Sequence, residues 1–230
     1  MHYLFTLLLF SCFSSISLNA QGKITVKNEL TFNSKPLELN QSYVTVNKDT
    51  ILIETVKFYL SNFKIEFQNG TTYKEKNSYH LIDYEEPETL QFELEKINSK
   101  IKSVSFDIGV DSLANVSGAM SNDLDATKGM YWSWQSGFIN LKIEGKSASC
   151  KTRKNKFQFH IGGYQKNTAT LRNIVLFFDA THKDDSILNL NYDLSKLFES
   201  INLKELSTVM IPGNEAVKIA NNFCKIISKK

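Results

Sequence analysis

"FINLKIEG", residues 138–145, alternates apolar and polar side chains from Ile139 to Glu144. Ile139, Leu141 and Ile143 fall on one side; Asn140, Lys142 and Glu144 fall on the other. Successive side chains of an extended chain point to opposite faces, so this pattern reads as a strand with one buried and one exposed face. The same reading holds for "KSVSFDIGV" (102–110), with Val104, Phe106, Ile108 and Val110 inward and Ser105 and Asp107 outward. In "KFQFHIGGY" (156–164), Phe157, Phe159 and Ile161 face in, while Gln158 and His160 face out.

Further strand-like runs lie on both sides: "KITVKNELTF" (23–32), "TVKFYLSNFKIEF" (55–67), "SYHLIDY" (78–84), "LQFELEK" (90–96), "TLRNIVLFFDA" (170–180) and "ILNLNYDL" (187–194). The turn-forming stretches "QNGTT", "EEPET", "NVSGAMSND" and "THKDD" separate them. Many short strands with few helical stretches between them predict a mainly β protein, an antiparallel β-sandwich with long loops. One or two helices are predicted near the C-terminus. Asp193 can cap "LSKLFES", where Leu194, Leu197 and Phe198 share a face. Asn214 can cap "EAVKIANNFCKIIS", where Ala216, Ile219, Ala220, Phe223 and Ile227 repeat at helical spacing. The last helix is expected to pack on the sandwich and close its edge. No linker or repeat divides the chain, which reads as one domain over residues 21–230.

The first twenty residues, "MHYLFTLLLFSCFSSISLNA", carry no Lys, Arg, Asp or Glu and hold an apolar run from Tyr3 to Phe10. They read as a secretory signal peptide cleaved after Ala20. The apolar run is too short to cross a bilayer, and no later stretch is apolar enough to do so. An exported product in the periplasm or at the cell surface is expected. A lipid anchor at Cys12 is disfavoured because Phe10 fits badly before Ser11-Cys12. The net charge of +3 is spread along the chain apart from "CKTRKNK" (150–156) and the final "SKK". Nucleic acid is not an expected partner, because phosphate binding needs a concentrated basic surface; residues 150–156 read as a solvated loop. Cys150 and Cys224 remain after processing. In an oxidising compartment they admit a disulfide, worth roughly 4 kcal/mol in the chain-entropy model. The alternative is a buried Cys224 thiol on a helix face and an exposed Cys150.

Two stretches suggest chemistry. "GMYWSWQSG" (129–137) places both tryptophans, Trp132 and Trp134, just before the opening strand. Carrying its phase backwards puts Trp132, Trp134 and Phe138 with the exposed set, on the side where His160 also lies. A bulge at Ser136-Gly137 would return the indoles to the core. Exposed, Trp132, Trp134, Tyr131 and Gln135 could stack a sugar or peptide without any metal. The loop "DSLANVSGAMSNDLDATKG" (111–129) offers Asp111, Asn115, Asp123 and Asp125 as oxygen donors for calcium. Its spacing does not match an EF-hand, and turn and cap chemistry account for the same residues. No Ser–His–acid order, H-E-x-x-H, C-x-x-C or phosphate-cradling glycine loop is present, so catalysis is not expected.

The run "FDIGVDSLANVSGAMSNDLDATKGMYWSWQSGFINLKIEG" (106–145) followed by "FHIGGY" (159–164) resembles the MbnP-like family of exported bacterial proteins. "KFYLSNFKIEF", "SYHLIDYEEPETL" and "AVKIANNF" extend the likeness over most of the chain. The resemblance implies a non-catalytic copper-binding protein for uptake, storage or transfer, with a membrane-associated copper-handling partner. Copper in such proteins is held by imidazoles, in some beside a tryptophan oxidised to kynurenine. Carried over, His160 of "FHIGG" is the leading ligand, His80 a second, and Met130 a thioether donor, with Trp132 or Trp134 the oxidisable ring. Soft nitrogen and sulfur donors suit Cu(I). This chain departs from that pattern beside the tryptophans, where Tyr131 and Ser133 supply no imidazole; the histidines after residue 20 are His80, His160 and His182.

Overall fold

A computed structural model describes residues 22–96, 99–133, 136–179 and 186–230. The predicted signal peptide with Cys12, and also Trp134, Gln135 and His182, lie outside the described residues. In chain order the strands are β1 (Gly22–Phe32), β2 (Lys35–Pro36), β3 (Ser42–Val44), β4 (Thr50–Phe67) and β5 (Thr72–Lys74). Then come β6 (Tyr79–Asp83), β7 (Gln91–Lys96), β8 (Ile101–Ile108), β9 (Tyr131–Ser133) and β10 (Gly137–Ser147). The last are β11 (Lys156–Gly162), β12 (Arg172–Phe177), β13 (Ile187–Asp193), β14 (Thr208–Val209) and β15 (Ile227–Lys229). The α-helices are α1 (Ser112–Ser117), α2 (Leu194–Glu199) and α3 (Asn214–Lys225).

The strands form two sheets. In the first, β1 lies against β13 on one edge and against β7 and then β2 on the other, with β15 beyond β13. The second is built on β4. One edge of β4 pairs with β10 along its first half and β8 along its second; the opposite edge pairs with β3, β6 and β5. β11 and β14 continue outward from β10, and β12 from β8. The change of partner along β4 is accompanied by a register shift between Ser61 and Lys64. Asn62, at φ 56°, supplies the positive dihedral there, and its Nδ2 donates to Asp107 Oδ2 at 2.9 Å.

The predicted antiparallel pairing needs correction in two places. β1 runs parallel to β13, and β11 parallel to β14. Neither pair is joined by a hairpin, so the long connection leaves the direction free.

Between the sheets lies the main core. Phe58 of β4, Tyr192 of β13 and Phe223 of α3 meet with ring centroids 4.8, 5.4 and 5.9 Å apart, so α3 is packed onto strands of both sheets. Ala216, Ile219, Ala220 and Phe223 are the buried face of α3, as their spacing predicts. Ile227 does not join that face, because the chain leaves the helix after Lys225 and becomes β15. The cap is Gly213 rather than Asn214, which is already helical. Asp193 does cap α2, accepting from Ser195 N at 3.2 Å, and it also receives Asn33 N and Ser34 N at 3.1 Å.

A second, smaller core covers the outer face of the β4 sheet. Tyr59, Leu81, Val110, Ala114, Leu124, Met130, Phe138 and Ile139 form it, with Tyr79, Tyr131 and Trp132 packed around. The segment from α1 to β9 is thus a lid on a face that alternation alone assigns to solvent. That lid covers Phe138, expected outside; Asn140, also expected outside, is buried as well, and Ile139, expected on the side of Leu141 and Ile143, joins the smaller core instead. Asn140 Oδ1 accepts from Val110 N and its Nδ2 donates to Thr170 Oγ1, both at 2.9 Å, which offsets its desolvation.

The disulfide expectation is also corrected. Cys150 and Cys224 are both free thiols. Cys150 is buried in the turn after β10, with its N–H on Ser147 O, whereas Cys224 rides on α3 beside the main core. Burial pushes the Cys224 thiol from an ordinary 9.0 up to about 11.

Candidate functional site

His160 sits on β11 with its ring on the outer face of the β4 sheet. It lies opposite Lys142 of β10, which lies opposite Lys57 of β4, which lies opposite Asp83 of β6. Side chains paired across strands share a face, so these four form a row of charged and polar groups. Lys57 Nζ donates to Asp83 Oδ2 at 2.6 Å. Glu144, one step along β10 on the same face, takes His160 Nε2 on its Oε1 at 2.5 Å. Gln158 Nε2 lies 3.5 Å from the same oxygen. The hydrogen bond from His160, with its charge and that of Lys142, holds the Glu144 carboxyl below the usual carboxylate range against partial burial. Partial burial, with the neighbouring Lys57 charge, pulls the Lys142 ammonium downward. Lys142 Nζ also donates to Gly129 O at 2.5 Å, tying the lid to this row.

The indole of Trp132 reaches the same face. A Cβ built on Gly162 would stand 2.8 Å from Trp132 Cζ3 and 3.2 Å from Cη2, so the ring lies directly on that glycine. Gly162 is two residues beyond His160 on β11 and shares its face. The seat exists because β9 folds back on β10 through an irregular pairing at Gly137 and Phe138, with Gly137 at φ 75°. Between Gly137 and Phe138 the pairing advances one residue on β10 but two on β9, so the extra residue is Trp132 on β9 and not, as expected, at Ser136-Gly137. Trp132 is half-buried, with part of its surface on that core.

The structure separates the other predicted ligands from this point. His80 pairs with Leu60, a main-core residue, and so faces the opposite side of the sheet from His160. Its ring stacks on Phe92 at 3.6 Å, and its Nε2 is 2.9 Å from Glu75 Oε2. Met130 is fully buried in the smaller core, where a thioether fills space between lid and sheet. Tyr131 is half-buried against Phe138, with centroids 4.9 Å apart. Of the predicted donors that are described, Trp132 lies on the strand of His160 through Gly162, and Met130 shares the smaller core with Trp132.

Each oxygen donor of the calcium reading has a separate structural partner, in keeping with turn and cap chemistry. Asp111 Oδ1 accepts Ala114 N at the start of α1, and its Oδ2 takes the Tyr79 hydroxyl at 2.6 Å. Asn115 donates to Val110 O and Asp111 O and accepts Phe138 N. Asp123 Oδ2 accepts Leu81 N, and Asp125 Oδ1 accepts Thr127 N and Oγ1. Among the described residues no group of three or more His, Cys, Asp or Glu is placed to hold a metal ion.

Glu144 and Gly162 escaped the sequence reading as functional residues. The signal for Glu144 was available: the strands 138–145 and 156–163 are neighbours in the chain, and pairing them places Glu144 diagonally across from His160. Gly162 could be recognised only once the indole lay on it.

These observations define a class: a β-sandwich protein whose outer sheet face carries a paired imidazole and carboxylate, with an indole seated on the same strand beside a loop-built lid. The chain belongs to the MbnP family, whose model, described as MbnP, matches residues 21–211. That match ends before α3, so "AVKIANNF", taken above as part of the likeness, lies outside it. The solved structure of MbnP from Methylosinus trichosporium has a similar fold, with a TM-score of 0.63 at 15% identity over 85% of this chain and 82% of that one. Comparison with curated proteins yields no match.

Proposed function

We propose that this chain is an exported, non-catalytic copper-binding protein, acting in uptake, storage or transfer with a membrane-associated copper-handling partner. His160 is the imidazole that meets the metal. The observation that supports this reading is the seat of Trp132 on Gly162, two residues along β11 from His160 and on the same face. Membership of the MbnP family supports it, as does the affinity of imidazole nitrogen for copper. Among the described residues no helix is long and apolar enough to cross a membrane.

Titration of the protein lacking residues 1–20 with Cu(I) against a competing chelator tests the proposal. The parent should bind one equivalent, and His160→Ala should lose that binding while His80→Ala keeps it. A parent protein that fails to compete with the chelator overturns copper binding. Retention of a sugar or peptide ligand through Trp132 instead would make the face a stacking platform.

A further inference from the structure

We infer that Glu144 is a positioning residue that makes Nδ1 the nitrogen His160 presents to its ligand. A carboxylate has no proton to give and can only accept, so the nitrogen facing it must carry the hydrogen. The nitrogen facing Glu144 is Nε2, at 2.5 Å. A glutamate side chain is ordinarily a carboxylate at neutral pH. In the neutral ring the proton therefore resides on Nε2, and the lone pair available to a metal resides on Nδ1. Among the described residues the His160 side chain makes no hydrogen bond beyond the one to Glu144. Gln158, placed 3.5 Å from the same Oε1, flanks the carboxylate on the neighbouring strand. Both partners stand on regular paired strands, which hold the ring's orientation more firmly than a loop would.

The same arrangement, a carboxylate behind a ligating imidazole, fixes the tautomer and raises ligand basicity at metal sites generally. Glu144 therefore acts through His160 and touches no metal itself. The inference rests on the copper reading only for its final consequence; the tautomer belongs to the metal-free protein.

Long-range proton–nitrogen correlation spectra of the uniformly ¹⁵N-labelled, metal-free protein read the tautomer directly, with His160→Gln assigning the signal. The neutral His160 ring should show the Nε2–H pattern in the parent. In Glu144→Gln the amide can either accept from or donate to Nε2, so both tautomers should be populated. A parent ring with its proton on Nδ1 overturns the inference without reference to copper, and so does an unchanged pattern in Glu144→Gln. Cu(I) competition supplies the second arm. Glu144→Gln should weaken binding by about 10–100-fold, and Glu144→Asp, which keeps the charge, should recover part of that loss. Equal affinity of Glu144→Gln and the parent overturns the positioning role. A parent that shows the Nε2–H tautomer yet binds no Cu(I) supports the tautomer assignment and overturns the copper reading.

Discussion

A methyl group at Gly162 has no room. It would stand 2.4 Å from Phe138 O and 2.8 Å from Trp132 Cζ3, and the first of these is backbone that cannot swing aside. Gly162→Ala is expected to cost about 1–3 kcal/mol, the usual penalty of forcing extra volume into a packed site, and to lift the indole from β11. Urea unfolding followed by tryptophan fluorescence measures both effects, and an unchanged midpoint and emission maximum would refute the seat. Cys224 makes a second prediction at this scale. Its folded pKa is raised to about 11 from an ordinary 9.0 by burial. A group with a raised folded value contributes stability below its unfolded pKa and loses it as pH rises through the folded one. Stability should therefore fall between pH 9 and 11, and Cys224→Ala should flatten that part of the curve in urea titrations at stepped pH. Alternation alone placed His160 off the main core. Its partner is not visible within one strand, because the hydrogen bond to Glu144 exists only between two strands in register.

The lid depends on one asparagine. Asn115 in α1 donates to Val110 O and Asp111 O at 2.9 Å and receives Phe138 N at 2.8 Å, joining the end of β8, the helix and the start of β10. Asn115→Leu leaves the buried Phe138 N–H without that acceptor, at a cost of about 1–3 kcal/mol. Hydrogen exchange should show the amide of Phe138 losing protection while β4 and β8 keep theirs; uniform protection across all three would refute a local role. Long strands such as β4 and β10 were legible because several alternating residues declare a period. Tyr131–Ser133 and Thr208–Val209 are too short to show one. α1 was missed for a related reason: six residues with Leu113 and Val116 exposed carry no apolar stripe. Asp111, read as a cation donor, is its cap.

Across the whole molecule, the first strand and one of the last lie side by side, since β1 pairs with β13 from Thr25↔Ile187 to Thr31↔Asp193. α3 then closes the core against both sheets through Phe223, which stacks on Tyr192 and meets Phe58 edge-on. Phe223→Ala should cost about 3–5 kcal/mol, as for other fully buried aromatics, in a single cooperative transition seen equally by circular dichroism and fluorescence. Separate transitions for the two sheets would show that α3 does not couple them. Period-two alternation and helical spacing were enough for the sequence by itself to determine the mainly β class, most of the residues that face the main core, though not Val110 or Ile139, and the amphipathic final helix, because these follow from local chain geometry. The tertiary structure alone decided which edges meet and in what direction, where the lid turns an outer face into a second core, and which donors share a side. Those depend on contacts between segments far apart in the chain, and no local periodicity encodes them. That is why His80 and His160, both strand residues with a polar ring, lie on opposite faces of one sheet.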